Sequence, residues 1–223
     1  MNCSLAGKKL HNGHFEIKNL VGHGGMGAVY AGTEIGSNLP VAIKLLLSPK
    51  QRMQEADGQF LQDDSLRRLK DEASAAAAVN NENLVKIIIT GEDKELGPFI
   101  IYEFLPNGSL RDHIEEGRTF TPQETIEKIA LPALSALSAL HTKNICHRDI
   151  KPENLFCAAN GKYKVGDLGL ALFTGRQSAT ATGVIVGTPL YLPPERILEA
   201  NEKGSPSGDC YALALLLVEA MTG

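Results

Sequence analysis

Three side chains that could cooperate in phosphoryl transfer lie within the stretch CHRDIKPENLF, residues 146–156. Asp149 supplies an acid, Lys151 an amine and Asn154 an amide. In a loop between a helix and a strand, this acid and amide can aim a base at a hydroxyl group and an oxygen ligand at a magnesium ion. The amine between them can neutralise charge on a transferred phosphoryl group. A hydrated turn is the alternative, because these polar residues favour turns, but apolar neighbours on both sides favour an anchored loop.

A glycine-rich segment, VGHGGMGAVY, lies near the start of the chain, with the pattern G-x-G-x-x-G-x-V formed by Gly22, Gly24 and Gly27. Glycines permit a tight turn whose backbone N–H groups can close over phosphates. The alternative is a plain glycine-rich hairpin. A strand is predicted after these glycines, whereas a dinucleotide-binding fingerprint requires a helix there, so the segment does not fit a dinucleotide site.

Three further charged residues extend the candidate site. Lys44 ends the apolar run VAIK, where a lysine could simply snorkel at a strand edge. Glu72 lies on the inward stripe of a predicted helix, which favours pairing with Lys44 and a lysine held to contact phosphate oxygens. Asp167 follows a short predicted strand at 162–165 and is a second candidate magnesium ligand, although D-x-G is common in turns.

The elements that must position these residues are mainly predicted strands in the first part of the chain and predicted helices after it. Short β-branched runs bounded by Gly, Pro and Asn predict strands at residues 14–21, 27–33, 40–47, 84–89 and 99–104. One helix, in SLRRLKDEASAAAAVNN, interrupts them. After Ser109 the pattern predicts helices at 110–116 and 122–140, the second kinked at Pro132. Strands gathered before helices indicate an α+β arrangement in two unequal lobes, joined at residues 106–108.

The bulk composition is that of an ordinary globular chain. It has 223 residues, 43% hydrophobic and 22% charged, with a net charge of −4, which disfavours nucleic acid or an anionic membrane as the main partner. Its four cysteines form no C-x-x-C pair, so we expect free thiols in a reducing compartment. The N-terminus has no signal-peptide run, and the most apolar segment, 210–221, is too short to cross a bilayer. We therefore expect a cytoplasmic chain with no membrane segment and with residues 210–221 as a buried helix.

Taken together and in this order, the motifs resemble the eukaryotic-type (Hanks-type) Ser/Thr protein kinase domain from about Phe15 to Gly223. The resemblance implies the two-lobed α+β protein kinase fold, after an N-terminal extension at 1–14. Its N-lobe, about 15–104, would be a small antiparallel β-sheet with one regulatory helix. A hinge at about 103–108 would lead to a mainly helical C-lobe at about 109–223. The forms K-P-E-N and GHGGMGAVY are similar to bacterial kinases of this type.

The resemblance also implies residue roles, carried over from the family. The implied catalytic residues are the base Asp149, the phosphate-neutralising Lys151, and Lys44 with its helix partner Glu72. The implied magnesium ligands are Asn154 and Asp167. Tyr102 would guard the back of the adenine pocket, with Glu103 and Leu105 presenting backbone groups to adenine. The full set expected to contact ATP is Val21, Gly22, His23, Gly24, Gly25, Met26, Gly27, Val29, Ala42, Lys44, Tyr102, Glu103, Leu105 and Phe156.

The segment GTPLYLPPE resembles the end of a kinase activation segment, with Thr188 in the substrate-facing loop and Glu195 closing it. Arg148 would pair with a phosphorylated residue of this segment. The candidate autophosphorylation sites are Thr174, Ser178, Thr180 and Thr182. Asp209 matches the acid that opens the central helix of the large lobe.

Three departures from the family pattern stand out. Leu168 replaces the usual phenylalanine of D-F-G, and Pro193 replaces the alanine of A-P-E. The large lobe of the family continues beyond the counterpart of Gly223. We therefore expect weakened stability or an associated partner.

The leading hypothesis is a kinase that uses ATP and Mg²⁺ to phosphorylate Ser or Thr hydroxyls of proteins. One alternative is a pseudokinase that binds nucleotide and acts as an interaction module. Small-molecule phosphotransferases share a related catalytic loop and form a weaker alternative, because they generally lack the G-T-P-x-Y and P-E pattern.

Overall fold

The computed structural model describes residues 5–24, 27–46, 77–167, 189–198 and 204–223. The chain divides into two compact units, Met1–Ala77 with Lys86–Phe104, and Ala78–Val85 with Leu105–Gly223. The predicted helix that carries Glu72 lies outside the described residues, as do Gly25 and Met26 of the glycine-rich segment. So do the residues around the predicted autophosphorylation sites, namely Leu168, Thr174, Ser178, Thr180, Thr182 and Thr188.

The first unit contains a six-stranded antiparallel sheet in the order β1-β2-β3-β4-β6-β5. Its strands are β1 (Lys9–Leu10), β2 (Phe15–Gly24), β3 (Gly27–Glu34), β4 (Pro40–Leu46), β5 (Ile87–Asp93) and β6 (Gly97–Glu103). The pattern at 84–89 placed the fifth strand too early, because Leu84 instead bridges to Val165 within the second unit. The two-residue β1 is too short to produce a sequence pattern.

Side chains of four strands, β1, β2, β4 and β6, form the core of the first unit. The cluster consists of Leu10, Phe15, Ile17, Val41, Ile43, Leu45, Phe99 and Ile101. Full burial of side chains of this size contributes about 1.5–3 kcal/mol each. Gly32 allows β2 and β3 to pack here, since a Cβ at this position would lie 2.4 Å from the Ile43 side chain and 2.8 Å from the Glu16 carbonyl oxygen.

The second unit is mainly helical within its described residues. Its helices are α1 (Leu110–Glu115), α2 (Pro122–Glu124), α3 (Leu131–His141), α4 (Pro194–Leu198) and α5 (Pro206–Thr222), with a two-stranded antiparallel sheet of β7 (Leu155–Cys157) and β8 (Tyr163–Val165). Ser109 starts α1 through a capping box with Asp112, which satisfies two backbone N–H groups. Buried Ala and Leu residues at helical spacing give α3 its inner face.

The predicted helix at 122–140 is present, but it is not α-helical throughout. A π-helical segment, Thr125–Ala130, separates α2 from α3, and the Leu131 N–H donates to the Ile126 carbonyl. The irregular turn ends two residues before Pro132, and the kink at this proline stays a prediction. Pro132 lies in the first turn of α3 but follows helical backbone at Ala130 and Leu131, so its missing N–H leaves a carbonyl of the preceding turn without a helical hydrogen bond.

Helix α5 begins at a Ser-Pro pair. The Ser205 side chain caps the helix by accepting the Gly208 N–H, and Pro206 occupies the first turn. The helix predicted at 210–221 is present, but only one of its faces is buried, whereas Tyr211, Val218 and Met221 are exposed. None of the helices in the described ranges is long and apolar enough to cross a membrane.

Candidate active site

Strands β2 and β3 carry the glycine-rich segment of the first unit. Gly22 lies opposite Val29, His23 opposite Ala28, and Gly24 opposite Gly27. Gly27 has a φ of +145°, and a Cβ there would lie 2.0 Å from the Leu45 carbonyl oxygen. Only glycine fits this close approach of β3 to β4. Neighbouring Val21 is 61% exposed.

Lys44 lies inside the sheet, not at its edge. Its Cα partners are Val29 on β3 and Ile100 on β6, and the residue is only 6% exposed. A lysine buried to this degree is uncommon unless its ammonium group has a partner. The pairing with Glu72 stays a prediction, since Glu72 lies outside the described residues.

The residues predicted to face adenine lie along β4, β6 and the segment after β6. Ala42 is paired with the buried Tyr102. Glu103 is fixed by Lys86, whose N–H donates to the Glu103 carboxylate at 2.9 Å. Leu105 is half-buried in the second unit, after the boundary with the first. The roles of these four residues toward adenine stay predictions.

The second unit brings Asp149, Lys151 and Asn154 together. Lys151 Nζ lies 2.9 Å from Asp149 Oδ2. Asn154 Nδ2 donates to the same carboxylate oxygen at 2.9 Å and to the Asp149 carbonyl at 2.7 Å. The acid is thus oriented by an amine and an amide from its own loop.

Buried His147 connects this loop to the segment that carries Asp167. His147 Nδ1 accepts the Asp149 N–H at 3.3 Å, which assigns the ring proton to Nε2, and Nε2 then donates to the Gly166 carbonyl at 2.9 Å. The Gly166 N–H returns to the Asn154 carbonyl at 2.8 Å. Asp167 and Arg148 both have left-handed backbones, with φ of +54° and +67°. Non-glycine residues hold this conformation where surrounding contacts enforce it.

The carboxylate of Asp209 anchors the start of the loop. Oδ1 accepts the Arg148 N–H at 2.7 Å, and Oδ2 accepts the His147 N–H at 2.8 Å. His141 Nε2, at the end of α3, also lies 2.8 Å from Oδ2. Asp209 is 2% exposed in the first turn of α5, where the helix dipole favours negative charge. The Arg148 carbonyl accepts from Arg196 Nη1 at 3.1 Å, so both ends of this residue are held.

A second polar cluster, centred on Arg111 of α1, was not predicted from the sequence. Its guanidinium donates to Glu219 Oε1 at 2.7 Å, to the Tyr191 hydroxyl at 2.9 Å and to Glu153 Oε1 at 3.3 Å. Tyr191 also donates to Glu219. Burial opposes the charge of Arg111, but the hydrogen bond to Glu219 and the adjacent Glu153 raise its pKa. The cluster fixes Glu153, within K-P-E-N, relative to Tyr191.

Phe156, also predicted to contact ATP, lies in β7 opposite Lys164. Gly166 allows it to pack closely, because a Cβ on Gly166 would lie 2.9 Å from the Phe156 ring. Phe156 thus supports the same short segment that carries Asp167. Its contact with a nucleotide stays a prediction.

The arrangement of these motifs agrees with a comparison to known families. The family model of the protein kinase domain matches residues 15–223. The chain belongs to the protein kinase domain family. This membership confirms the predicted family and its fold class.

Several bacterial members of the family are similar to this chain. Serine/threonine-protein kinase PknL of Mycobacterium tuberculosis is 33% identical over 215 residues, covering 96% of this chain and 50% of the relative. PknB of Mycobacterium leprae is 32% identical over 213 residues, covering 94% and 32%. PrkC of Bacillus subtilis is 32% identical over 220 residues, covering 98% and 32%. The chain therefore spans half or less of the length of these kinase relatives.

Proposed function

We propose that this kinase domain transfers the γ-phosphoryl group of ATP to Ser or Thr hydroxyls of a protein substrate. The observation that carries the proposal is the Asp149 carboxylate held by Lys151 and Asn154 on a loop anchored to Asp209. The names of the bacterial relatives, serine/threonine-protein kinases, support the same reaction class.

Asp149 acts as the general base. Its carboxylate orients the substrate hydroxyl and accepts its proton as the oxygen attacks phosphorus. Positioned bases of this kind contribute about 10²–10⁴-fold to a rate. Lys151, already 2.9 Å from the carboxylate, places a positive charge beside the reacting group.

The donor set of the loop fits a magnesium ion. Mg²⁺ prefers oxygen ligands, and Asn154 directs its amide nitrogen to Asp149, which turns its amide oxygen Oδ1 away from that carboxylate. The hydrogen bond from Gly166 to Asn154 links this residue to Asp167, the second proposed ligand. When both are bound, ATP supplies the phosphoryl group and Mg²⁺ neutralises charge on the ATP phosphates.

The other proposed nucleotide contacts divide by chemistry. Backbone N–H groups of Gly22, Gly24 and Gly27 and the ammonium group of Lys44 suit phosphate oxygens. The apolar side chains of Val21, Val29, Ala42 and Phe156 suit the base and ribose. Tyr102, Glu103 and Leu105 are the other proposed contacts of the base.

The proposed function includes regulation by autophosphorylation and a cytoplasmic location. Autophosphorylation would occur at Thr174, Ser178, Thr180 or Thr182, with Arg148 as the cation that pairs with the phosphate. A cytoplasmic location of this domain fits the free thiols of Cys146, Cys157 and Cys210.

The test is transfer of labelled phosphate from ATP to the protein itself and to a basic generic substrate. We expect Asp149→Asn to lower the rate by at least about 10²-fold while thermal stabilisation by Mg-ATP is kept. Glu115→Gln, a charge removal at an exposed helix end, is the matched control and should transfer normally. A wild-type chain that is stabilised by ATP but transfers no phosphate would instead be a nucleotide-binding interaction module.

A further inference from the structure

Three side chains of different chemistry converge behind the catalytic loop. His141 ends α3, Cys146 precedes the H-R-D motif, and Asp209 lies in the first turn of α5. Their ligand atoms all lie within 4.8 Å of one another. We propose that His141, Cys146 and Asp209 form a site for a zinc-type cation, separate from the proposed magnesium ligands.

The donor set selects the kind of metal. Imidazole, thiolate and carboxylate are the three ligand types that Zn²⁺ takes, and three protein ligands leave one coordination position for water. A thiolate disfavours Mg²⁺, which prefers oxygen ligands. Asn154 and Asp167 offer only oxygen, so the two sets are chemically distinct.

Zinc binding requires a small rearrangement of the cluster, in which the widest ligand separations contract while His141 Nε2 and Asp209 Oδ2 move apart from 2.8 Å. Tetrahedral ligands around Zn²⁺ lie roughly 3.3–3.6 Å apart at ordinary bond lengths, against the observed limit of 4.8 Å. Cys146 can supply most of this movement, because it lies in a loop and is half-buried. The Asp209 carboxylate stays oriented, since the Arg148 N–H holds Oδ1 and leaves Oδ2 as the ligand atom. Such outer contacts orient metal ligands.

Binding of the metal displaces one proton and moves another. The Cys146 thiol releases its proton to solvent and becomes a thiolate bound to the metal. The His141 proton that faces Asp209 moves from Nε2 to Nδ1, which frees Nε2 as a ligand. Burial and the nearby Asp209 raise the pKa of the Cys146 thiol, whereas Arg148 lowers it. Metal coordination overcomes a raised thiol pKa because it deprotonates the sulfur outright.

Occupancy would weaken the anchor of the catalytic loop. Asp209 Oδ2 accepts the His147 N–H as well as facing His141. A cation bound to Oδ2 competes with that N–H for the oxygen. Zinc therefore inhibits phosphoryl transfer by loosening the loop that holds Asp149. This consequence rests on the proposed kinase function, whereas the metal site itself does not.

The first test measures metal binding to the full chain without nucleotide. Zinc affinity is determined by competition with a coloured chelator, and Co²⁺ reports sulfur ligation through its thiolate charge-transfer absorption. We expect one cation per chain, with affinity lowered at least about tenfold in Cys146→Ser and in His141→Gln and with the charge-transfer band lost in Cys146→Ser. Unchanged affinity in both variants would overturn the site.

Control variants separate this site from other zinc donors. Cys210→Ser removes an exposed thiol adjacent to Asp209 in sequence, and Asp167→Asn removes a proposed magnesium ligand. His11→Gln alters a histidine pair whose rings lie 5.6 Å apart at the N-terminal turn. We expect all three to keep wild-type affinity. Loss of binding in one of them, with Cys146→Ser unaffected, would move the site elsewhere.

Folding and activity measurements complete the test. Melting without metal shows whether Cys146→Ser is folded, and Cys146→Ala is the second variant if it is not. Zinc should lower phosphate transfer severalfold in wild type and leave the Cys146 variant unaffected. Zinc binding at Cys146 without inhibition would overturn the inhibitory role alone. A wild type without transfer activity would still leave the binding result decisive.

Discussion

The two units position their functional residues by different means. In the first unit, Lys44 is placed by backbone pairing of β4 with strands on both sides. In the second, Asp149 lies in a loop whose backbone is held by side chains, above all the carboxylate of Asp209. A sheet distributes its restraint over many backbone hydrogen bonds, whereas the loop concentrates it in a few side chains. Single substitutions should therefore affect the two units unequally.

The largest effect is expected for Asp209→Ala. It leaves the buried N–H groups of His147 and Arg148 without their acceptor, at about 1–3 kcal/mol each. We expect the free energy of unfolding to fall by about 2–6 kcal/mol, measured by urea denaturation, together with loss of phosphate transfer. Asp209→Asn keeps one acceptor oxygen and should lie between Ala and wild type. A loss below about 1 kcal/mol for Ala would show that the loop has other sufficient anchors.

An intermediate effect is expected for Gly27→Ala in the sheet. The new Cβ would meet the backbone of Leu45, and φ is +145°. Strain of this kind costs about 1–3 kcal/mol, so we expect a lower melting temperature and a higher KM for ATP. Gly22→Ala is the matched control for melting temperature, because a Cβ there meets nothing within 4 Å. Equal losses of melting temperature in the two variants would contradict a steric requirement at Gly27.

The smallest effect concerns an exposed carboxylate of the second unit. Hydrogen bonds from Lys128 and from the Thr121 N–H lower the pKa of Glu124 to about 2. A lowered folded-state pKa stabilises the fold above the ordinary pKa of 4.5, and this contribution is lost as pH falls toward 2. Lys128→Met should raise the Glu124 pKa in an NMR titration and hardly change stability at pH 7. Thr142→Val, in the same unit, should leave that pKa unchanged.

Local patterns predicted the sheet of the first unit well. β-Branched runs bounded by glycine and proline located β2, β3, β4 and β6 to within a few residues. The strand predicted at 84–89 begins before β5, which starts at Ile87. A local run of residues cannot show that Leu84 pairs with Val165, far along the chain. The π-helical segment was also not predicted, since its residues have the apolar spacing and composition of an ordinary α-helix.

The candidate site was predictable where its residues are close in sequence. Asp149, Lys151 and Asn154 lie in one loop, and their residue types suggested shared chemistry, but only their order among the other motifs favoured a site over a hydrated turn. Residues that are hydrogen-bonded but distant in sequence could not be paired from the sequence. His141 and Asp209 are 68 positions apart, and the contacts of Arg111 with Tyr191 and Glu219 span 80 and 108 positions. These pairings depend on how helices pack, which no single segment encodes.

The π segment ahead of α3 is a turn that holds one residue more than regular α-helical winding, with helical backbone on both sides. Removal of one residue within Thr125–Ala130 would convert this turn to an α-helical turn and leave the buried face of α3 in phase with the residues before it. A deletion inside α3 would instead rotate the residues on one side by about 100° relative to the other. One-residue deletions should therefore be better tolerated in the π segment than inside α3.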